Sequence, residues 1–105
     1  VKLLLDEFVT CYVKRDLSAH DVYTIEEAGL KGLANGALLR AASDKYDVFI
    51  TVDNIPYQQN LSSLPIAVLV LAGKRNSYRY LKTLMPRALD ALATLRPGDI
   101  VLIQE

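Results

Sequence analysis

The stretch Asp47-Val48-Phe49-Ile50-Thr51-Val52-Asp53 decides the fold. A short, unbroken apolar run closed by an acid does not alternate as a half-solvated strand would, and so reads as a strand buried on both faces. Three other runs share its character: Leu3-Leu4-Leu5, Ile66-Ala67-Val68-Leu69-Val70-Leu71 and Ile100-Val101-Leu102-Ile103. With the shorter segment Asp21-Val22-Tyr23-Thr24 they make five strands.

Between the strands the apolar spacing changes from continuous to helical. Val9, Tyr12, Val13 and Leu17 predict a helix over residues 8–17. Residues 25–29 predict one or two helical turns closed by Gly29, and residues 37–45 a second full helix that buries Leu38, Leu39, Ala42 and Tyr46. Leu81, Leu84, Met85, Ala88, Leu89, Leu92 and Leu95 form a third stripe, which Pro86 must kink or restart. Strands alternating with helices give a parallel sheet with helices on both faces, joined by right-handed crossovers. The expected fold is a three-layer α/β/α domain with a five-stranded, mainly parallel sheet in the order 2-1-3-4-5. With 105 residues, no repeat and no linker, the chain reads as a single domain spanning 1–105.

Composition narrows the classes of function. Half of the residues (51%) are apolar, enough for a core without staples, but the longest apolar run is far short of the roughly 20 residues that cross a bilayer. A membrane partner is therefore excluded. Cys11 stands alone and cannot close an internal disulfide, and no stretch resembles a signal peptide, so the expected location is cytoplasmic. Twelve basic residues balance twelve acidic ones, so nucleic acid would be held by a local patch or a metal rather than by the overall field.

In the order 2-1-3-4-5 the winding reverses between the first and third strands, and ligands bind such sheets at the carboxyl ends of the strands that flank the reversal. Asp6 follows the first of these strands and Asp53 the second. Adjacent strands lie about 4.8 Å apart, so two carboxylates just past their ends can share one cation, and oxygen ligands favour Mg²⁺ or Mn²⁺. Each acid alone has a plainer reading, as a helix cap or a partner of a helix dipole. Two at the reversal point are harder to assign to capping. Glu26 and Glu27, after the second strand, form a solvated helix face unless one of them reaches the same crevice as a third acid, and Glu7, beside Asp6, is either a charge at a helix N-terminus or a further acid of the crevice. Lys74, Arg75, Arg79 and Lys82, with Tyr78 and Tyr80, form a basic cluster suited to a phosphate backbone or to a solvated helix face. Asn35 either caps the helix that follows or contacts the same ligand. His20 is the sole histidine, which leaves zinc chemistry without ligands.

Leu3-Leu4-Leu5-Asp6-Glu7, His20-Asp21-Val22-Tyr23-Thr24, Asn35-Gly36-Ala37-Leu38-Leu39, the stretch from Asp47 to Asp53 and Tyr57-Gln58-Gln59-Asn60-Leu61, taken in order, resemble the compact PIN-like family of small bacterial proteins related to VapC toxin ribonucleases. The resemblance runs from end to end. It implies a PIN-like fold and a Mg²⁺- or Mn²⁺-dependent ribonuclease that hydrolyses RNA. It also implies a toxin–antitoxin setting with a small antitoxin protein, and a homodimer. Asp6 matches the first acid of the family, Asp53 the acid of its Thr-x-Asp motif and Glu27 a frequently acidic position. For such an enzyme Asp6 and Asp53 are the expected metal ligands, Glu7 or Glu27 positions water or a second ion, and Lys74, Arg75, Arg79 and Asn35 are the expected RNA contacts.

Two other readings compete. Ala37 stands where such proteins commonly carry Glu or Asp, and Phe8 where many carry Asn, which fits a PIN-like binding module with weakened catalysis. A phospho-acceptor receiver domain shares the acid placement but needs a hydroxyl after the fourth strand and a lysine after the fifth. Here those positions are Ala72-Gly73 and Gln104-Glu105.

Overall fold

The structure is a computed structural model that describes residues 1–7, 9–33, 35–52, 65–71 and 78–104, with the side chains of Cys11, Asn35 and Gly36 excepted. In chain order the elements are β1 (Lys2–Leu5), a 3-10 turn (Cys11–Arg15), β2 (Asp21–Thr24), α1 (Asn35–Ser43), β3 (Val48–Thr51) and β4 (Ala67–Leu71). They are followed by α2 (Tyr78–Leu81), a second 3-10 turn (Lys82–Leu84), α3 (Met85–Leu92) and β5 (Ile100–Ile103). All five strands pair in parallel, in the order β2-β1-β3-β4-β5 that the sequence implies.

Strand periodicity divides the core in two. Leu3 and Leu5 of β1, Val48 and Ile50 of β3, and Leu69 and Leu71 of β4 pack with Val9, Val13, Leu17, Leu81, Leu84, Met85, Ala88 and Leu92. The intervening Leu4, Phe49, Val68 and Val70 pack with Ile25, Leu38, Leu39 and Ala42. Successive side chains leave a strand on opposite faces, so each central strand must be apolar throughout, which is why these strands read as unbroken runs. The edge strand β5 departs from this rule. Ile103 is buried in the first cluster, whereas Ile100 and Leu102 are exposed.

The segment after β1 differs from the expected helix over 8–17. It forms the short 3-10 turn Cys11–Arg15, begun by the Thr10 side chain, which accepts from Tyr12 N. Two β-branched residues, Val9 and Thr10, hold χ1 freedom poorly in a helix, and the Thr10 hydroxyl serves better as a start signal than inside one. Val9, Val13 and Leu17 are still buried, but Tyr12, counted with them, is exposed. Pro86 restarts the last helix as expected: it lies in the first turn of α3, where an amide hydrogen is not required.

The link after β2 is a single turn capped at both ends. Glu27 N donates to Thr24 Oγ1 at 3.1 Å while Thr24 N donates to Glu27 Oε1 at 3.0 Å, a reciprocal capping box. At the other end Leu30 N donates to Ile25 O and Gly29 N to Glu26 O, with Gly29 at φ +73°, the left-handed geometry that closes a Schellman turn. Ile25 and Leu30 both join the second core cluster, so the turn is fixed by packing as well as by its caps. Among the described residues, no helix is long and apolar enough to cross a membrane.

Candidate functional site

Parallel register places Asp6 at the centre of the carboxyl edge. Leu5 pairs with Thr24 of β2 on one side and Ile50 of β3 on the other. Both ladders run one bond further: Asp6 N donates to Ile50 O at 2.9 Å and Ile25 N to Leu5 O at 3.2 Å. Asp6 thus stands between the capped turn after β2 and Thr51 at the end of β3, at the reversal point of the sheet.

Asp6 is a buried residue, only 7% exposed. Oδ2 accepts a 2.7 Å hydrogen bond from the Thr51 hydroxyl, itself fully buried, and Oδ1 accepts one of 2.8 Å from Glu7 N. Burying a carboxylate is costly unless its oxygens are satisfied, and these two bonds hold the group in one orientation. A carboxylate has about four acceptor positions, so capacity remains for a further ligand.

Asp6 opens onto a cavity of about 290 Å³ that Glu7, Val9, Thr10, Thr24, Ile25 and Glu26 also line. The polar residues among these carry carboxylates (Asp6, Glu7, Glu26) and hydroxyls (Thr10, Thr24). Hard oxygen donors of this kind suit Mg²⁺ or Mn²⁺ rather than softer ions. Among the described residues, no group of three or more His, Cys, Asp and Glu side chains comes close enough together to hold a metal. Asp53, the second expected ligand, lies outside the described residues.

The other expected site residues separate. Glu7 is exposed and borders the cavity. Glu27 is committed to the capping box and to a salt bridge with Lys14, which together hold its carboxyl below the usual range, the Lys14 bond first and the Thr24 amide second. The acid of that turn which lines the cavity is its neighbour Glu26. The signal for this choice was present in the sequence, since Thr24-Ile25-Glu26-Glu27 has the Thr-x-x-Glu spacing of a capping box. Thr51, the partner of Asp6, was legible only as the first residue of Thr-x-Asp. Arg79 is exposed on α2, while Lys74 and Arg75 lie outside the described residues, as does the side chain of Asn35. Compared with protein-family models, with curated proteins and with solved structures, the chain matches none.

Proposed function

We propose that this protein is a Mg²⁺- or Mn²⁺-dependent endoribonuclease whose centre is Asp6. The observation that carries the reading is the buried Asp6 carboxylate, fixed by Thr51 and Glu7 N at the reversal point of a parallel sheet and bordering a cavity that Glu7, Thr10, Thr24 and Glu26 also line. In this reading Asp6 and Asp53 hold the ion. When bound, the ion supplies an activated water and neutralises charge on the scissile phosphate. Glu7 and Glu26, at the cavity wall, orient water and accept its proton. Glu27 keeps the wall in place through the capping box.

Hydrolysis of RNA in particular, the role of toxin, a small antitoxin partner and self-pairing enter the proposal through the resemblance of the five motifs, and a cytoplasmic setting through the lone Cys11. One observation favours the weakened binding module as a second reading: the first turn of α1, Asn35-Gly36-Ala37, carries no acid.

Cleavage of a mixed pool of structured and single-stranded RNAs, with and without Mn²⁺, separates the two. The nuclease cuts in a metal-dependent way and stops cutting on Asp6→Asn. No cleavage with any divalent ion, alongside retained RNA binding, overturns the enzyme and leaves the module.

A further inference from the structure

The two edges of the sheet, β2 and β5, are finished differently. On β2, Asp21 N donates to Val1 O and Ile25 N to Leu5 O, so the alternate residues Val22 and Thr24 turn their backbone groups outward. Thr24 is already engaged there: its N donates to Glu27 Oε1 and its O accepts from Ala28 N. On β5, Val68 N donates to Asp99 O at 2.8 Å, so Asp99, Val101 and Ile103 face β4, while Ile100 and Leu102 turn both N–H and C=O away from the sheet. Among the described residues nothing bonds to these outward groups of β5.

The same two residues are apolar and exposed. Ile100 and Leu102 extend the face on which their β4 partners Val68 and Val70 are buried, yet they are 41% and 45% exposed themselves. Natural edge strands are blunted by charge, proline or a bulge, and without these an edge is a template for another strand. Ile100-Val101-Leu102-Ile103 has no charge or proline and pairs with β4 in unbroken register. The open stretch is closed at both ends, because Gln104 O accepts from Arg87 Nη1 and Gly98 N donates to Ile66 O.

We propose that β5 pairs antiparallel with β5 of a second copy of this chain, about a two-fold axis at Val101, and joins two five-stranded sheets into one. In that register Ile100 lies opposite Leu102 of the second copy and Leu102 opposite its Ile100, so every outward group on both strands is satisfied. Moving the axis to Ile100 sets Leu102 against Gly98, whose amide is already used, and moving it to Leu102 sets Ile100 against Gln104, whose carbonyl is. A slip by one residue opposes outward groups to inward ones. Directly opposite side chains share a face, so the exposed residues of both copies close into one apolar cluster. Asp99 falls opposite Ile103 of the second copy rather than a like charge, and twelve basic against twelve acidic residues leave no net repulsion between copies. A two-fold pairing also closes on itself instead of growing into a fibre.

The seam rests on the strand edge and not on the ribonuclease reading, and it gives self-pairing a place. Antiparallel pairing turns the two carboxyl edges opposite ways and sets the Asp6 residues seven strand spacings, roughly 34 Å, apart across the sheet, so each cavity works alone.

Sedimentation velocity from about 1 µM to 1 mM, without RNA or metal, is the test. The wild type passes from monomer to dimer as concentration rises, in the weak range of interfaces under about 1,200 Å². Leu102→Lys keeps the bonds to β4 but sets a charge against Ile100 of the second copy. It raises the dissociation constant at least about tenfold, with the melting temperature of the dilute protein unchanged. Val101→Cys reads the register, because residues on the axis form a non-hydrogen-bonded pair with Cα atoms about 4.5 Å apart, within disulfide reach. Mild oxidation links it into a covalent dimer, whereas Gln104→Cys, off the axis, and the parent with Cys11 alone stay unlinked. A protein monomeric throughout, a dimer that Leu102→Lys leaves intact, or a Gln104→Cys that links as readily as Val101→Cys overturns the seam. A dimer that Leu102→Lys breaks, in a protein that cuts no RNA, keeps the seam and sinks the nuclease. Metal-dependent cleavage by a protein that stays monomeric does the opposite.

Discussion

The Thr51 hydroxyl donates to Asp6 Oδ2 at 2.7 Å, one step beyond the paired residues Leu5 and Ile50, and so ties the ends of β1 and β3 together through a buried carboxylate. A donor in this place does two things at once. It satisfies an anion that the core would otherwise exclude, and it fixes the direction in which the remaining lone pairs point.

Thr51→Val keeps the shape of the side chain and removes the donor. Leaving a buried carboxylate oxygen without its bond costs about 1–3 kcal/mol, and each kcal/mol lowers the melting temperature by roughly 4–8 °C in a domain near this size. Thr51→Ser restores the donor and recovers most of the loss. If Asp6 binds metal, Thr51→Val also weakens Mn²⁺ affinity about 10–100-fold, the usual effect of removing a group that orients a ligand. Thermal melts and Mn²⁺ titration of the three proteins check both effects, and a valine variant as stable as the parent would show that the bond does not matter to the fold.

The capping box gives a pH dependence whose sign follows from Glu27. Its folded-state pKa lies below the ordinary value of 4.5, because Lys14 and the Thr24 amide favour the ionised form. A depressed carboxyl pKa contributes stability that is fully present above the unfolded value and is lost as pH falls through the folded one. Glu27→Gln therefore melts below the parent at pH 7 and at pH 5, and the gap closes as pH is lowered from 4.5 through the folded value. Salt narrows the gap as well, since the Lys14 pair is exposed. A gap that widened in acid would contradict the assignment.

The core offers a sharper contrast, because register decides what each apolar residue is worth. Phe49 is fully buried between β1 and β4, and Phe49→Ala is expected to cost about 3–5 kcal/mol, a large share of the roughly 5–15 kcal/mol that holds a domain together. Leu102, on the edge strand, is 45% exposed, and Leu102→Thr is expected to stay within about 0.5 kcal/mol of the parent. Urea unfolding midpoints of the two variants measure the difference directly.

This contrast also marks how far sequence could carry the fold. Leu3 to Leu5, Phe49 and Val68 to Leu71 were legible because strands buried on both faces leave no polar residue to confuse the pattern, and the order of the strands followed from the alternation with helices. Ile100 and Leu102 read the same way, yet they are exposed, because an unbroken apolar run on an edge strand does not show which of its residues the sheet's neighbours cover. The helix expected over 8–17 failed for a local reason, the Thr10 cap, which outweighed a spacing that still buried Val9, Val13 and Leu17. At the site Asp6 was legible from its position after β1. Its bond to Thr51 was not, since it depends on a register that pairs Leu5 with Ile50.

Glu26 and Glu27 show the same limit on a smaller scale, and they give the test that best divides structure from chemistry. The two acids are adjacent and alike, and the resemblance favours Glu27 for the chemistry. The turn after β2 assigns them otherwise. Thr24 and Lys14 engage Glu27, whereas Glu26 is exposed and lines the cavity that Asp6 opens onto. Under the ribonuclease reading Glu26→Gln is expected to lower Mn²⁺-dependent cleavage about 10–100-fold with an unchanged melting temperature, as for loss of a group that orients water or an outer ligand. Glu27→Gln is expected to do the reverse, lowering the melting temperature at neutral pH and sparing kcat once the protein is folded. Measuring both properties on both variants separates the roles. If Glu27→Gln abolished cleavage at a temperature where it remained folded, the capping box would not be its main function, and Glu27 would belong with Asp6 in the chemistry.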